Sequence, residues 1–190
     1  MANSALDTRL LMRLVVFTES LFFMALLVAF VFFSLAPGFR QQQLAALDLG
    51  RTGAFTLVLF SSSFTYWRVE ASARRGATGA LKFWLLATIA LGTVFLLGQA
   101  WEFHGLFGRH IDLASNTFGT SFFTLTGFHG LHVLIGLIIL SILAGLAFAG
   151  DYDRPGSSIF QAIGIYWHFV DIVWAVVFTV VYVLPHFSRF

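Results

Sequence analysis

The amino-acid sequence predicts an all-α integral membrane protein: a bundle of five transmembrane helices in a single membrane domain over residues 1–190. Three observations carry that prediction. Hydrophobic residues make up 58% of the chain and charged ones 11%, against about 25% charged in ordinary soluble domains. Phenylalanine occurs 24 times, more apolar surface than a soluble core of this size could hide, so lipid is the solvent for part of it. The apolar residues also fall in five continuous runs, each near the roughly 20 residues that cross a bilayer. Backbone groups in hydrocarbon must be satisfied within their own segment, which makes these runs helices; a β-barrel needs short alternating segments instead.

The first span, residues 12–35, follows Arg9 and Arg13 and is interrupted only by Glu19. It exceeds the roughly 7–15-residue core of a secretory signal and reads as a permanent anchor. The second, 53–73, is the least apolar; it carries Ser61, Ser62, Ser63 and Thr65 and closes with Arg68 and Glu70. In the third, 81–104, helical spacing aligns Thr88, Gly92, Phe95, Gln99 and Glu102 on one face. The fourth, 118–149, is long enough to tilt or protrude. It places His129, His132 and Gly136 on one face, with Gly127 and Gly130 open to a close neighbour. The fifth, 158–184, carries Gly164, His168, Asp171, Ala175 and Thr179 on one stripe, flanked by Trp167 and Trp174. Between the spans lie linkers at 36–52 with Pro37-Gly38, at Arg74-Arg75-Gly76, at 105–117, and at 150–156 with Arg154-Pro155. None has room for a soluble domain, and no internal repeat is present.

Lys and Arg set the expected orientation. With a cytoplasmic N-terminus, the inner side holds Arg9, Arg13, Arg68, Arg74, Arg75, Lys82 and Arg154, and the outer side Arg40, Arg51, Arg109 and Arg189. The bias predicts N-terminus in the cytoplasm and C-terminus outside (periplasmic). The net charge of +2 comes from few charges, without the basic, aromatic-interleaved run that nucleic-acid binding needs. Zero cysteines exclude disulfides, iron–sulfur clusters, thiolate zinc sites and cysteine catalysis.

An acidic residue at the centre of a membrane helix costs about 2.5–3.5 kcal/mol on insertion scales, so each needs a reason. Four readings of the buried polar groups stand open. His129, His132, His168 and Asp171 can form an interhelical hydrogen-bond network, since His168 and Asp171 are i, i+3 neighbours. Two His with a third His and a carboxylate can ligate zinc or iron. A haem can be held between histidines of the fourth and fifth spans. Glu19 or the His cluster can form a proton relay. Glu19 shares its face with Val15, Phe22, Phe23 and Leu26, so its partner lies on another helix or another subunit.

Five motifs, one per span and in order, resemble one family. "FTESLFFMALLVAF", "LFSSSFTYW", "LGTVFLLGQAWEF", "TGFHGLHVLIGL" and "YWHFVDIVWAVVFTVVY" are similar to the helices of subunit III of the haem-copper terminal oxidases, which include cytochrome c oxidase and its quinol-oxidising relatives. The resemblance implies a noncatalytic subunit of a proton-pumping, oxygen-reducing complex in the bacterial cell membrane. Haem and copper would sit in partner subunits, with no metal or cofactor bound by this chain. It carries the family's membrane carboxylate onto Glu19 and implies a structural polar network of His129, His132, His168, Asp171, Gln99, Glu102, Ser61 and Thr65 that locks the fourth and fifth spans together. Direct docking to subunit I, contact with subunit II and other respiratory subunits, and bound phospholipid at a site still unknown are further implications. Longer members have two helices before the carboxylate helix; Glu19 in the first span resembles the shorter five-helix bacterial form. Alternatives are subunit III of a quinol oxidase, a homologue accompanying nitric oxide reductase, a self-contained haem-binding cytochrome, and a small proton-coupled transporter.

Overall fold

The structure, a computed structural model, describes residues 2–150 and 158–187. It is helical throughout this range: α1 Ala2–Ser34, α2 Phe39–Ala46, α3 Leu49–Arg75, α4 Thr78–Phe107, α5 Thr117–Ala149 and α6 Ser158–Phe178. A π-helical turn, Thr179–Val183, leads from α6 into the short α7, Leu184–Phe187. Among the described residues, four helical stretches are each long and apolar enough to cross a membrane: Leu10–Ser34, Thr78–Phe107, Thr117–Ala149 and Ile159–Phe187. A fifth is reached when α2 and α3, bent by 70° at their junction, count as one broken span.

Local chemistry explains where the helices start and stop. Asp48 caps α3, its carboxylate accepting the Arg51 N–H at 3.0 Å, and Asn116 caps α5 by accepting the Gly119 N–H at 2.7 Å. α3 ends at Gly76, whose φ of 67° suits only a residue without a β-carbon. Arg74 and Arg75 in its last turn complement the negative helix end.

Two sequence expectations need correction. The linker at 36–52 is not irregular: it contains α2 and the start of α3. Its residues FRQQQLAA are too short and mixed to register as an apolar run, yet Phe39, Gln43 and Ala46 bury one side. The spans also overrun their apolar cores, because a helix continues past the hydrocarbon until a cap stops it. Thus 53–73 becomes Leu49–Arg75 and 81–104 becomes Thr78–Phe107, while the C-terminal span continues through the π turn to Phe187. The linker at 150–156 lies, beyond Gly150, outside the described residues, as do Arg154 and Arg189.

The spanning helices close into a ring in the order α1, α6, α3, α4, α5, with α5 also touching α6 across the middle. Trp167 of α6 locks that crossing. A β-carbon on Gly92 of α4 would lie 2.9 Å from its indole, and one on Gly136 of α5 2.7 Å away. Only glycine lets the three helices approach around so large a ring. Outward, Phe17, Phe32, Phe83, Leu97 and Ile138 are exposed, as lipid-facing positions should be.

Candidate functional site: the polar clusters of the bundle

Four clusters hold most of the polar contacts between helices. The first surrounds Glu102, near the C-terminal end of α4. Its Oε1 accepts from the Thr52 hydroxyl of α3 at 2.9 Å, and its Oε2 from the Tyr182 hydroxyl at 2.7 Å. Tyr182 belongs to the π turn, which rotates the chain relative to a regular helix. The same turn offers the Val181 carbonyl to the buried Gln43 of α2, so α2 is tied to the last span. Next to it Gln99 donates to the Thr126 carbonyl of α5 at 2.7 Å. Its other end lies against Gly130, where a β-carbon would sit 2.6 Å from Oε1.

The second cluster is aromatic. His129 is fully buried and stacks on Trp174 with ring centroids 4.7 Å apart, while Phe95 meets both rings edge-on. Among the described residues, neither ring nitrogen of His129 has a hydrogen-bond partner. The Trp174 indole N–H is satisfied by Thr56 at 3.0 Å.

The third cluster lies between α3 and α6. The Ser63 hydroxyl donates to Asp171 Oδ2 and meets His168 Nδ1 at 2.9 Å. Asp171 Oδ1 is buried without a partner among the described residues. Tyr66 presents its ring edge-on to His168 and donates its hydroxyl to the Phe160 carbonyl at 2.8 Å.

The fourth joins α1 to α5. His132 Nε2 lies 3.0 Å from Glu19 Oε2, and its Nδ1 donates to the Phe128 carbonyl at 2.7 Å. A carbonyl only accepts, so Nδ1 carries a proton and Nε2 meets the carboxyl with one proton between them. Tyr166 of α6 donates to the His132 carbonyl at 3.0 Å. Glu19 therefore finds its partner on another helix.

Several predicted site residues fall elsewhere than expected. His168 and Asp171 do interact, but through Ser63, so they tie the last span to α3 rather than to α5. The fourth and fifth predicted spans are joined instead by the His129–Trp174 stack and the Tyr166–His132 bond. His129 acts as a packed ring, not as a hydrogen-bonding member. Ser61 is exposed and bonds its own helix at Leu57; Ser62 and Ser63 do the inward work, Ser62 accepting from the Trp167 indole at 3.0 Å. Thr65 pairs with Thr88 of α4 at 2.8 Å. Sequence reasoning missed Thr52, Thr56, Ser63 and Tyr182. A buried carboxylate needs donors on facing helices, which is the signal for Thr52, Ser63 and Tyr182; Thr56 instead serves the Trp174 indole.

Every span thus engages its neighbours through hydroxyl, indole, amide, imidazole or carboxyl groups. Among the described residues no three His, Asp or Glu converge as metal ligands do. Ring and clusters together define a multi-pass membrane helix bundle whose polar interior is built for helix–helix contact. The family model for cytochrome c oxidase subunit III matches residues 4–186. Over 168 residues the chain is 38% identical to cytochrome c oxidase subunit 3 of Synechocystis sp., covering 87% of this chain and 71% of that one. It is 35% identical over 186 residues to cytochrome c oxidase subunit 3 of Thermostichus vulcanus (95% and 90% covered). Cytochrome bo(3) ubiquinol oxidase subunit 3 of Pseudomonas aeruginosa is 38% identical over 129 residues (68% and 62% covered). The chain belongs to the cytochrome c oxidase subunit III family.

Proposed function

We propose that this chain is the noncatalytic third subunit of a haem-copper terminal oxidase in the bacterial cell membrane, a complex that reduces oxygen to water and moves protons. In this reading the haems and copper sit in partner subunits, subunit I is the direct neighbour, and this chain supports proton uptake and the durability of the partner's active site. The observation that carries it is the engagement of the embedded polar groups with other helices: Glu102 with Thr52 and Tyr182, Asp171 with Ser63, Glu19 with His132. Groups so engaged fit a scaffold better than a redox centre or a transport path. Glu19, 32% exposed on its side chain, is the membrane carboxylate turned most toward a neighbour.

Five spans put the termini on opposite sides, and the Lys and Arg bias favours the N-terminus inside. The phospholipid expected of the family has a natural place in the cavity of about 570 Å³ between α1, α2 and the last span. That cavity is walled by Phe30, Leu35, Val180 and Leu184, with Arg40 on its lining. A quinol-oxidising complex is the second reading, favoured by the Pseudomonas aeruginosa relative.

Affinity purification of the tagged chain in mild detergent, with a visible spectrum of the product, tests the proposal. Haem-copper oxidase subunits and a haem spectrum in the assembly are expected, with no Soret band once the chain is separated from them. A Soret band retained by the chain alone, or purification without an oxidase, would refute it.

A further inference from the structure

The α3–α6 cluster is only half satisfied, and its unmet half faces outward. Ile172 and Val176 of α6 and Phe60 and Phe64 of α3 are exposed beside it, so the seam opens to the membrane. Ser63 has one hydroxyl proton. With Asp171 as the carboxylate, Ser63 donates that proton to it and accepts toward His168, which places the His168 proton on Nδ1 and leaves Nε2 a bare acceptor. Among the described residues Nε2 meets no donor; His168 is half-buried rather than sealed. Asp171 Oδ1, behind it, has no donor either.

Depth decides what can supply one. Asp171 lies twelve residues from the start and sixteen from the end of Ile159–Phe187, about 18 and 24 Å along a helix rising 1.5 Å per residue. That is mid-membrane in a hydrocarbon layer of roughly 30 Å. Lipid headgroups do not reach it, and acyl chains have nothing to donate. A donor at this depth comes from a protein side chain on another membrane helix. Away from this seam, the exposed side chains around Ile138 and Ile142 of α5 are apolar.

We propose that a transmembrane helix of a partner subunit packs along the α3–α6 seam and donates a hydrogen bond from its side chain to His168 Nε2. Ser63 and Asp171 are positioning residues that hold the imidazole in the accepting tautomer. The inference rests on the chain working within an assembly, and it names the face and the chemistry through which it joins.

The test uses the intact complex in native membranes. A benzophenone amino acid replaces Ile172 in one variant and Ile138 in another, and irradiation is followed by mass spectrometry. Protein adducts at Ile172 at least tenfold above Ile138 are expected; lipid adducts alone at Ile172 would overturn the proposal. In parallel, His168→Leu is expected to lower retention of the chain in the detergent-purified complex at least fivefold. His168→Gln, whose Oε1 can accept, is expected to restore most of it. Wild-type retention of His168→Leu would also overturn the proposal. If His168→Leu fails to accumulate, the crosslinking arm, made with native His168, still decides. An oxidase that co-purifies without Ile172 adducts defeats this inference alone. Ile172 adducts to some other membrane protein, with no oxidase present, defeat the functional reading alone.

Discussion

Glu102 and Asp171 are both acids within membrane helices and both 5% exposed, yet they are held in opposite ways. Each oxygen of Glu102 has its own donor, one from α3 and one from the π turn. Asp171 has a donor on one oxygen only, and that donor, Ser63, is shared with His168. A fully satisfied buried network rigidifies what it joins, whereas a partly satisfied one leaves a demand at low dielectric. The Glu102 carboxylate is therefore a closed joint that fixes the chain's own fold. The Asp171 region is an open one whose completion comes from outside. Equal burial hides the difference; counting partners reveals it.

The comparison can be broken most forcefully at Glu102. Glu102→Ala strands two buried hydroxyl donors, each costing about 1–3 kcal/mol. Unfolding of the purified chain in detergent should show a loss of roughly 2–6 kcal/mol, and an unchanged stability would mean that the joint is not closed. Ser63→Ala should cost less, about 1–3 kcal/mol, since only one hydroxyl is lost, but it frees the His168 ring to turn. Its signature is a weakened attachment to the complex larger than its effect on the chain's own stability. Tyr182→Phe keeps the ring packed and removes one of two donors, so about 0.5–1.5 kcal/mol is expected. In a cycle with Thr52→Val the two effects should be non-additive, because both act on one carboxylate.

The smallest effect lies outside the membrane, at the exposed cap of α3. The Arg51 backbone N–H holds the Asp48 carboxyl below its ordinary value of 3.8. A group whose folded value is depressed contributes stability above its unfolded value and loses it as pH falls through the folded one. Hydrogen exchange at the first turn of α3 should thus be unaffected by pH above about 4 and accelerate below it, and Asp48→Ala should abolish that dependence.

Much of the architecture was readable from the chain. Continuous apolar runs reveal spans because hydrocarbon tolerates little else; of the polar residues set within them, Glu19, Thr65, Gln99, Glu102 and Asp171 reach other helices, whereas Ser61 does not. The pairings were not readable. Helical periodicity tells which residues share a face but not how far each helix is rotated toward its neighbour, so Ser61 was chosen where Ser63 makes the contact. One residue on a helix turns a side chain by about 100°, and within three consecutive serines nothing in the spacing favours one. His129 shows another limit: an HxxH spacing suggests ligands, but the Trp174 and Phe95 rings turn that imidazole into one more aromatic plate. Tyr182 reaches Glu102 by way of a π turn, and no hydropathy pattern announces a change of helical pitch.

The distinction between closed and open clusters is tested most directly by measuring two quantities on the same pair of variants, Glu102→Ala and Asp171→Leu: unfolding of the chain in detergent, and its retention in the purified membrane complex. Glu102→Ala should sharply lower the stability of the chain itself. Asp171→Leu strands one hydroxyl, Ser63, so it should cost the chain itself less, about 1–3 kcal/mol, while the chain is lost from the complex. Destabilisation of the chain by Asp171→Leu to the same degree as Glu102→Ala, with attachment to the complex intact, would contradict the account.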